Sequence, residues 1–122
     1  MANNLNSGGG SASSLIVKSF NVNSIGKNPK RREIFNFLNK KIGDIIILVD
    51  TRFSKNIENT VKEEWGSNVY FSSFSSQSRG VAIFFKKNIP VEVLDQHSDI
   101  SGNILSLLIN FDSQKILVSA IS

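Results

Sequence analysis

The segment that most constrains the fold runs from Asp44 to Arg52, with the sequence Asp-Ile-Ile-Ile-Leu-Val-Asp-Thr-Arg. Its five consecutive apolar residues predict a strand buried on both faces, which is typical of the parallel core of an α/β sheet. The strand ends on an acid, Asp50. Ligands of open α/β sheets bind at the carboxyl ends of the strands, and a buried carboxylate must be paired, solvated or bound to a metal. Asp50 is therefore the acid most typical of a functional site.

A strand and a helix precede this segment. The β-branched and aromatic residues at 15–20 predict a strand. Asn28 followed by Pro29 predicts a helix start, and Gly43 predicts its end. One face of the helix is an apolar stripe, formed by Ile34, Phe35, Phe37, Leu38 and Ile42. The opposite face is expected to meet water and carries Lys30, Arg31, Lys40 and Lys41. Strand, helix and strand in this order predict a right-handed βαβ unit with parallel strands.

The second half of the chain is richer in strands. Apolar residues four positions apart at Ile57, Val61 and Trp65 predict a second, shorter helix ended by Gly66. Five strand-like runs separated by turn signals follow, at residues 69–74, 81–85, 91–94, 104–111 and 116–121. Short links between successive strands predict an antiparallel meander. We therefore expect an α/β (α+β) fold, in which a mixed β-sheet carries at least two helices on one face.

Length and composition set the domain organisation. The 122 residues suffice for one small domain. Residues 1–14 are rich in Asn, Gly and Ser without hydrophobic periodicity, so we expect a flexible linker or an added tag there and the folded domain at 15–122. No apolar run approaches the ~20 residues of a membrane span, so no membrane partner is expected.

Cysteine usage and charge bear on location and partners. The chain has no cysteine, which excludes disulfides, zinc–thiolate sites and cysteine nucleophiles and fits an intracellular location, nuclear or cytoplasmic. The net charge of +4 is clustered, above all at residues 27–32. Such a cluster suits a polyanionic partner such as DNA, although a solvated helix face is the more common explanation of it.

Four segments stand in a characteristic order. They are Ser-Phe-Asn-Val-Asn-Ser-Ile at 19–25, Lys-Arg-Arg at 30–32, Asp-Ile-Ile-Ile-Leu-Val-Asp-Thr at 44–51, and Arg-Gly-Val-Ala-Ile-Phe-Phe at 79–85, followed by residues 99–105. Together they resemble the N-terminal half of the endonuclease/exonuclease/phosphatase superfamily, which includes deoxyribonuclease I-like and apurinic-endonuclease-like enzymes. Within it, the likeness is to the endonuclease domain of non-LTR (LINE-type) retrotransposons.

The resemblance implies a fold, a cofactor and site residues. The fold would be half of the DNase I-like four-layer α/β sandwich. Asn21 and Asp50 match catalytic and metal-binding positions, with Mg²⁺ (or Mn²⁺) as the cofactor of the complete enzyme. Substrate-binding positions would be Asn23, Lys30, Arg31, Arg52 and Arg79. Asp50 stands where the family has a glutamate, one methylene longer, so a metal would have to sit closer to the strand end.

The resemblance also implies what the chain does. The family's later segments, which supply the catalytic Asp, Asn and His, have no counterpart in this sequence, and His97 does not match the catalytic histidine. We therefore expect a truncated DNA-nicking phosphodiesterase that is inactive alone. Its expected partners are DNA and either the missing C-terminal half or a second copy packed across an uncovered sheet face.

Other interpretations fit the same residues. The chain could be a non-catalytic module that binds nucleic acid or protein, or could belong to a phosphoinositide or sphingolipid phosphohydrolase branch of the superfamily. Without the resemblance, Asp50 reads as a strand-end acid that caps a turn or pairs with Arg52. Asn21 and Asn23 then read as turn residues, since asparagine favours loops after strands.

Overall fold

The predicted βαβ unit forms the first part of the fold. The computed structural model describes residues 14–41 and 43–122. Strand β1 (Val17–Asn21), helix α1 (Asn28–Lys40) and strand β2 (Ile45–Val49) follow one another, and the two strands pair in parallel. Their register runs from Val17 opposite Ile45 to Asn21 opposite Val49. The expected linker, apart from Ser14, and Ile42 of the apolar stripe lie outside the described residues.

The remaining elements follow the predicted order with shifted bounds. A 3₁₀ turn (Lys55–Ile57) leads into helix α2 (Glu58–Trp65), which ends at Gly66 with a φ of +80°. The strands that follow are β3 (Val69–Ser72), β4 (Val81–Phe85), β5 (Val91–Ser98), β6 (Ile104–Phe111) and β7 (Gln114–Ile121). Strand β5 is four residues longer than predicted and includes Asp95 and His97. Asn28 is the first residue of α1 and not its cap, which is Lys27.

The strands form two sheets, so the expectation of one mixed sheet is wrong. Strands β1 to β4 form a mixed sheet in the order β1-β2-β4-β3, with β4 antiparallel to both β2 and β3. Strands β5, β6 and β7 form a separate antiparallel sheet, so the predicted meander of five strands is present over these three only. The physical reason is the apolar character of β2 and β4 on both faces, since each face must be covered.

One face of the four-stranded sheet packs against both helices, as predicted. Phe35 and Leu38 of α1 and Val61 and Trp65 of α2 share one buried cluster with alternate residues of β2 and β4. Phe35, Trp65 and Phe84 meet edge to face, with ring centroids 5.1–5.5 Å apart. Such aromatic pairs add about 0.5–1.5 kcal/mol each beyond the area they bury. The Trp65 indole N–H also donates to the Phe85 carbonyl at 2.8 Å.

The other face packs against the three-stranded sheet. The second cluster combines inward residues of β2 and β4 with inward residues of β6 and β7, namely Ile45, Ile47, Val81, Ile83, Phe85, Leu105, Leu107, Ile109, Val118 and Ala120. The alternation along β6 and β7 places their other residues outward. The described residues therefore form three layers: helices, a four-stranded sheet and a three-stranded sheet.

The outward face of the three-stranded sheet remains uncovered among the described residues. Leu117 is 67% exposed and Ile121 is 66% exposed, and Leu94 and Ile104 are also exposed. Ser106 and Ser119 share a hydrogen bond of 2.8 Å between them. Neither described helix has the length and apolar character needed to cross a membrane.

Candidate functional site at the carboxyl ends of the first two strands

Four loops converge at the carboxyl ends of β1 and β2, and backbone hydrogen bonds tie them together. The loop after β1 joins the loop after β2, since Ser24 N donates to Asp50 O at 2.8 Å. The loop after β2 joins the β3–β4 loop through Arg52 N and Arg79 O, also at 2.8 Å. Gly80 N then donates to Gly102 O of the β5–β6 loop at 3.0 Å. The carboxyl end of a parallel strand pair is the expected place for a ligand site.

The backbone of these loops is unusually strained. Five non-glycine residues here have φ between +49° and +73°, and they are Asn23, Ser24, Asp50, Arg52 and Arg79. Residues other than glycine seldom adopt this region, and the cost is of order 1–3 kcal/mol each. Strain of this kind gathers at active sites and ligand-binding loops, where the surrounding structure holds it in place.

Asp50 and Arg52 form a two-pronged ion pair. Arg52 Nε donates to Asp50 Oδ1 at 3.0 Å, and Arg52 Nη2 donates to Oδ2 at 3.2 Å. The side chains keep part of their surface in solvent, 22% for Asp50 and 34% for Arg52. The pairing predicted from the residues alone is therefore present, and both carboxylate oxygens carry a hydrogen bond from the guanidinium.

Asn21, Asn23 and Lys30 lie beside this pair. The register places Asn21 opposite Val49, one residue before Asp50. Asn21 Oδ1 accepts a hydrogen bond from Asn23 N at 3.0 Å, which is the turn geometry expected of asparagine after a strand. Lys30 Nζ donates to Asn23 O at 2.7 Å and so brings a positive charge to the loop.

Arg31 does not share this site, and the expectation that it faces water is wrong. Its side chain is buried, and its guanidinium donates to both Glu64 carboxylate oxygens on α2, at 2.5 and 3.0 Å. It also donates to Gly26 O at 2.6 Å. The hydrogen bond from Arg31 lowers the pKa of Glu64 below its ordinary value, against a smaller upward effect of burial. Arg31 thus fixes the loop after β1 to α2.

Arg79 lies in the β3–β4 loop and stacks on an aromatic ring. Its guanidinium carbon is 4.6 Å from the centroid of Phe74, a cation–π contact. Both side chains are exposed. Arg79 therefore adds a second guanidinium to the loop cluster beside Arg52.

Asp99 and Ser72 belong to the same loop cluster and were not predicted as site residues. Asp99 Oδ1 accepts hydrogen bonds of 3.1 Å from Ser72 Oγ and from the backbone N–H groups of Asn103 and Ile104. Burial acts to raise the pKa of Asp99, but these hydrogen bonds outweigh it and leave the pKa below its ordinary value. The sequence feature that could have pointed to Asp99 is the turn Asp-Ile-Ser-Gly-Asn at 99–103.

Two buried hydroxyls in this region lack a partner among the described residues. Thr51 Oγ1 and Ser73 Oγ are both buried and make no hydrogen bond there. Buried polar atoms without partners are rare in folded proteins and call for an explanation. A Cβ placed on Gly80 would lie only 2.6 Å from Thr51 Oγ1.

The donor set can be compared with the needs of Mg²⁺. Within the described residues, no three His, Asp or Glu side chains gather as a metal-binding group. Asp50 supplies one carboxylate and Asn21 one amide oxygen with a free lone pair. Mg²⁺ is commonly held by one or two carboxylates, with waters and substrate phosphates completing its shell. The donors fit that pattern provided that the Arg52 guanidinium leaves the carboxylate.

Comparison with protein-family models and with curated protein sequences gives no match.

Proposed function

We propose that this chain is the N-terminal half of a metal-dependent DNA phosphodiesterase of the endonuclease/exonuclease/phosphatase type, similar to the endonuclease of non-LTR retrotransposons. The observation that carries the proposal is the position of Asn21 and Asp50 at the carboxyl ends of neighbouring parallel strands. The strained loops and the unpaired hydroxyls of Thr51 and Ser73 support a functional site there. An intracellular location, nuclear or cytoplasmic, belongs to the same proposal.

The chain's own residues would bind and orient a phosphodiester. Arg52, Arg79 and Lys30 bring three positive charges to the loops around Asp50, and guanidinium groups match phosphate oxygens in two-pronged geometry. A phosphate that attracts Arg52 would release the Asp50 carboxylate. Asn21 and Asn23 would supply amide groups beside it. Arg31 stays outside this set, because its donors are used within the protein.

Asp50 and Asn21 are the residues that would hold Mg²⁺ or Mn²⁺, and the ion would stabilise negative charge on the phosphate oxygens. The described residues place no His beside Asp50, because His97 lies on β5 of the second sheet. We therefore propose that the groups that activate water come from outside this chain, and that the chain alone does not cut DNA.

The uncovered face of the three-stranded sheet is the proposed docking surface for the remaining half or for a second copy of the chain. Both faces of the four-stranded sheet are already covered. A single sheet would have left one of its own faces open, whereas the open face here belongs to the three-stranded sheet. In a four-layer sandwich, the fourth layer would rest on this apolar face.

A cation titration tests the proposed site. We expect Mn²⁺ to bind the chain in isothermal titration calorimetry and its binding to be lost in Asp50→Asn, which keeps the shape of the side chain and tolerates the positive φ. Asp95→Asn, on exposed strand β5, is the matched control and should bind as the parent does. Equal binding by all three proteins would contradict the proposal. Magnesium-dependent nicking of plasmid by the chain alone would contradict its predicted inactivity.

A second function is favoured by the Asp50–Arg52 ion pair, which satisfies the carboxylate without a metal. In that case the loop cluster would bind nucleic acid without cutting it. A labelled DNA duplex distinguishes the two functions in a binding assay with and without Mn²⁺. Affinity that falls in Arg79→Ala but is unaffected by Mn²⁺ and by Asp50→Asn would favour the binding module.

A further inference from the structure

Strand β1 is an edge of the four-stranded sheet, and among the described residues only β2 pairs with it. In a parallel pair, alternate residues direct their backbone groups towards the neighbour. Ile16 O accepts from Ile45 N at 3.1 Å, and Val22 N donates to Val49 O at 3.0 Å. The residues of odd number between them, Val17, Ser19 and Asn21, therefore direct their N–H and C=O groups away from β2. Such an open ladder is a template for another strand.

A groove of about 570 Å³ lies between this edge and α1, and its lining is aromatic and basic: Lys18, Ser19, Phe20, Phe37, Lys40 and Lys41. Phe37 is 45% exposed, although the sequence predicts it within a buried stripe. Its ring meets Phe20 edge to face, with centroids 6.1 Å apart. Lys41 Nζ lies 4.8 Å from the Phe37 centroid. The aromatic floor is therefore open to solvent and surrounded by positive charge.

The charges of this groove select an anionic occupant. Three of its six lining residues are lysines and none is acidic. Glu33, one turn before Phe37 on α1, lies outside the lining. Carboxylates on either side of an apolar side chain would complement this arrangement, since opposite charges across an interface favour association and fix register.

We propose that the β1 edge and this groove bind an extended acidic peptide, which adds to the sheet as a fifth strand antiparallel to β1, so that its residues facing away from the groove pair with the open edge. The peptide backbone would pair with Val17 and Ser19, and one aromatic side chain would lie on Phe20 and Phe37. Flanking carboxylates would meet Lys18, Lys40 and Lys41. Strand addition of this kind takes affinity from main-chain hydrogen bonds and specificity from alternate side chains. A nucleic acid would use the lysines but leave the open ladder unpaired.

The proposal is tested with a fluorescein-labelled peptide of sequence Thr-Glu-Thr-Phe-Thr-Glu-Thr, followed by fluorescence anisotropy. Alternate residues of an extended chain share a face, so its Glu, Phe and Glu side chains can enter the groove together. We expect the double variant Lys40→Glu/Lys41→Glu to lose about tenfold in affinity, since two exposed attractive charge pairs are lost and become repulsive. Lys87→Glu/Lys115→Glu has the same net charge and should bind as the parent does.

Two further measurements separate strand addition from general charge attraction. On saturation with the peptide, the amide protons of Val17 and Ser19 should exchange more slowly with solvent. A second peptide, in which Pro replaces the Thr on each side of Phe, should not bind, because proline lacks the N–H that pairs with β1. Equal binding of the proline peptide, or unchanged exchange, would overturn the proposal. The proposal would also be overturned if a thymidine oligonucleotide bound through Lys40 and Lys41 and the peptide did not bind.

Discussion

At the scale of single residues, Gly80 limits how closely the loops of the site can pack. It has a φ of +105°, and a Cβ there would lie 2.6 Å from Thr51 Oγ1 and 3.3 Å from Arg52 N. We expect Gly80→Ala to reduce the free energy of unfolding by about 2–4 kcal/mol, as backbone strain and overpacking add. The measurement is urea denaturation followed by circular dichroism.

Gly66→Ala is the matched control, because Gly66 also has a positive φ but faces only the flexible end of Lys87, 3.3 Å from its would-be Cβ. It should cost about 1 kcal/mol. Equal losses in the two variants would mean that the contact with Thr51 is unimportant.

Arg52 is a competitor for whatever cation approaches Asp50. Because its guanidinium donates to both carboxylate oxygens, a divalent cation can bind only as this pair opens. We expect Arg52→Ala to raise the affinity for Mn²⁺ by up to about fivefold, since a partly exposed ion pair contributes about 0.2–1 kcal/mol. Titration calorimetry with Arg79→Ala as the control measures this, and weaker cation binding in Arg52→Ala would refute it.

At the scale of elements, Arg31 and Glu64 join α1 to α2. Because the folded-state pKa of Glu64 is lowered, its contribution to stability is present above the ordinary carboxyl pKa of about 4.3 and is lost as pH falls through the lower folded value. We expect Glu64→Gln to cost about 1–3 kcal/mol at pH 7 and the gap from the parent to narrow towards pH 3. Urea midpoints at both pH values measure this, with Glu63→Gln as the exposed control. A difference in stability between the parent and Glu64→Gln that stays constant with pH would show that ionised Glu64 adds nothing to the stability of the fold.

The elements themselves could be predicted from periodicity, whereas the positions of some side chains could not. The stripe of α1 correctly predicted that Phe35 and Leu38 are buried. It did not predict the burial of Arg31, because the acid that pairs with Arg31 is 33 positions away on another helix. For Asp99 the turn sequence at 99–103 was a local signal, but its hydrogen bond with Ser72, which lies 27 positions earlier, left none. Long-range polar pairing leaves no periodic signal in the sequence.

At the scale of the whole molecule, the division into two sheets could have been predicted from the sequence. Strands β2 and β4 are apolar at every position, so both faces of their sheet need a cover. Two helices can cover only one face. The inward residues of β6 and β7 alternate with outward ones, as in a sheet that covers another sheet. The same alternation leaves Leu117 and Ile121 outside.

The outward face of the three-stranded sheet carries Leu117 and Ile121, both of them exposed. If it receives a second copy or the remaining half of a sandwich, its exposed apolar residues add little to the stability of the single chain. We expect Leu117→Lys to change the free energy of unfolding by less than about 0.5 kcal/mol and to weaken self-association in sedimentation velocity at rising concentration. Val118→Lys, one residue along and buried, should unfold the protein, because it places a charge in the core. A folded parent that stays monomeric at high concentration would exclude the second copy and leave the remaining half as the proposed occupant. A large loss of stability in Leu117→Lys would show instead that this face is already packed within the chain.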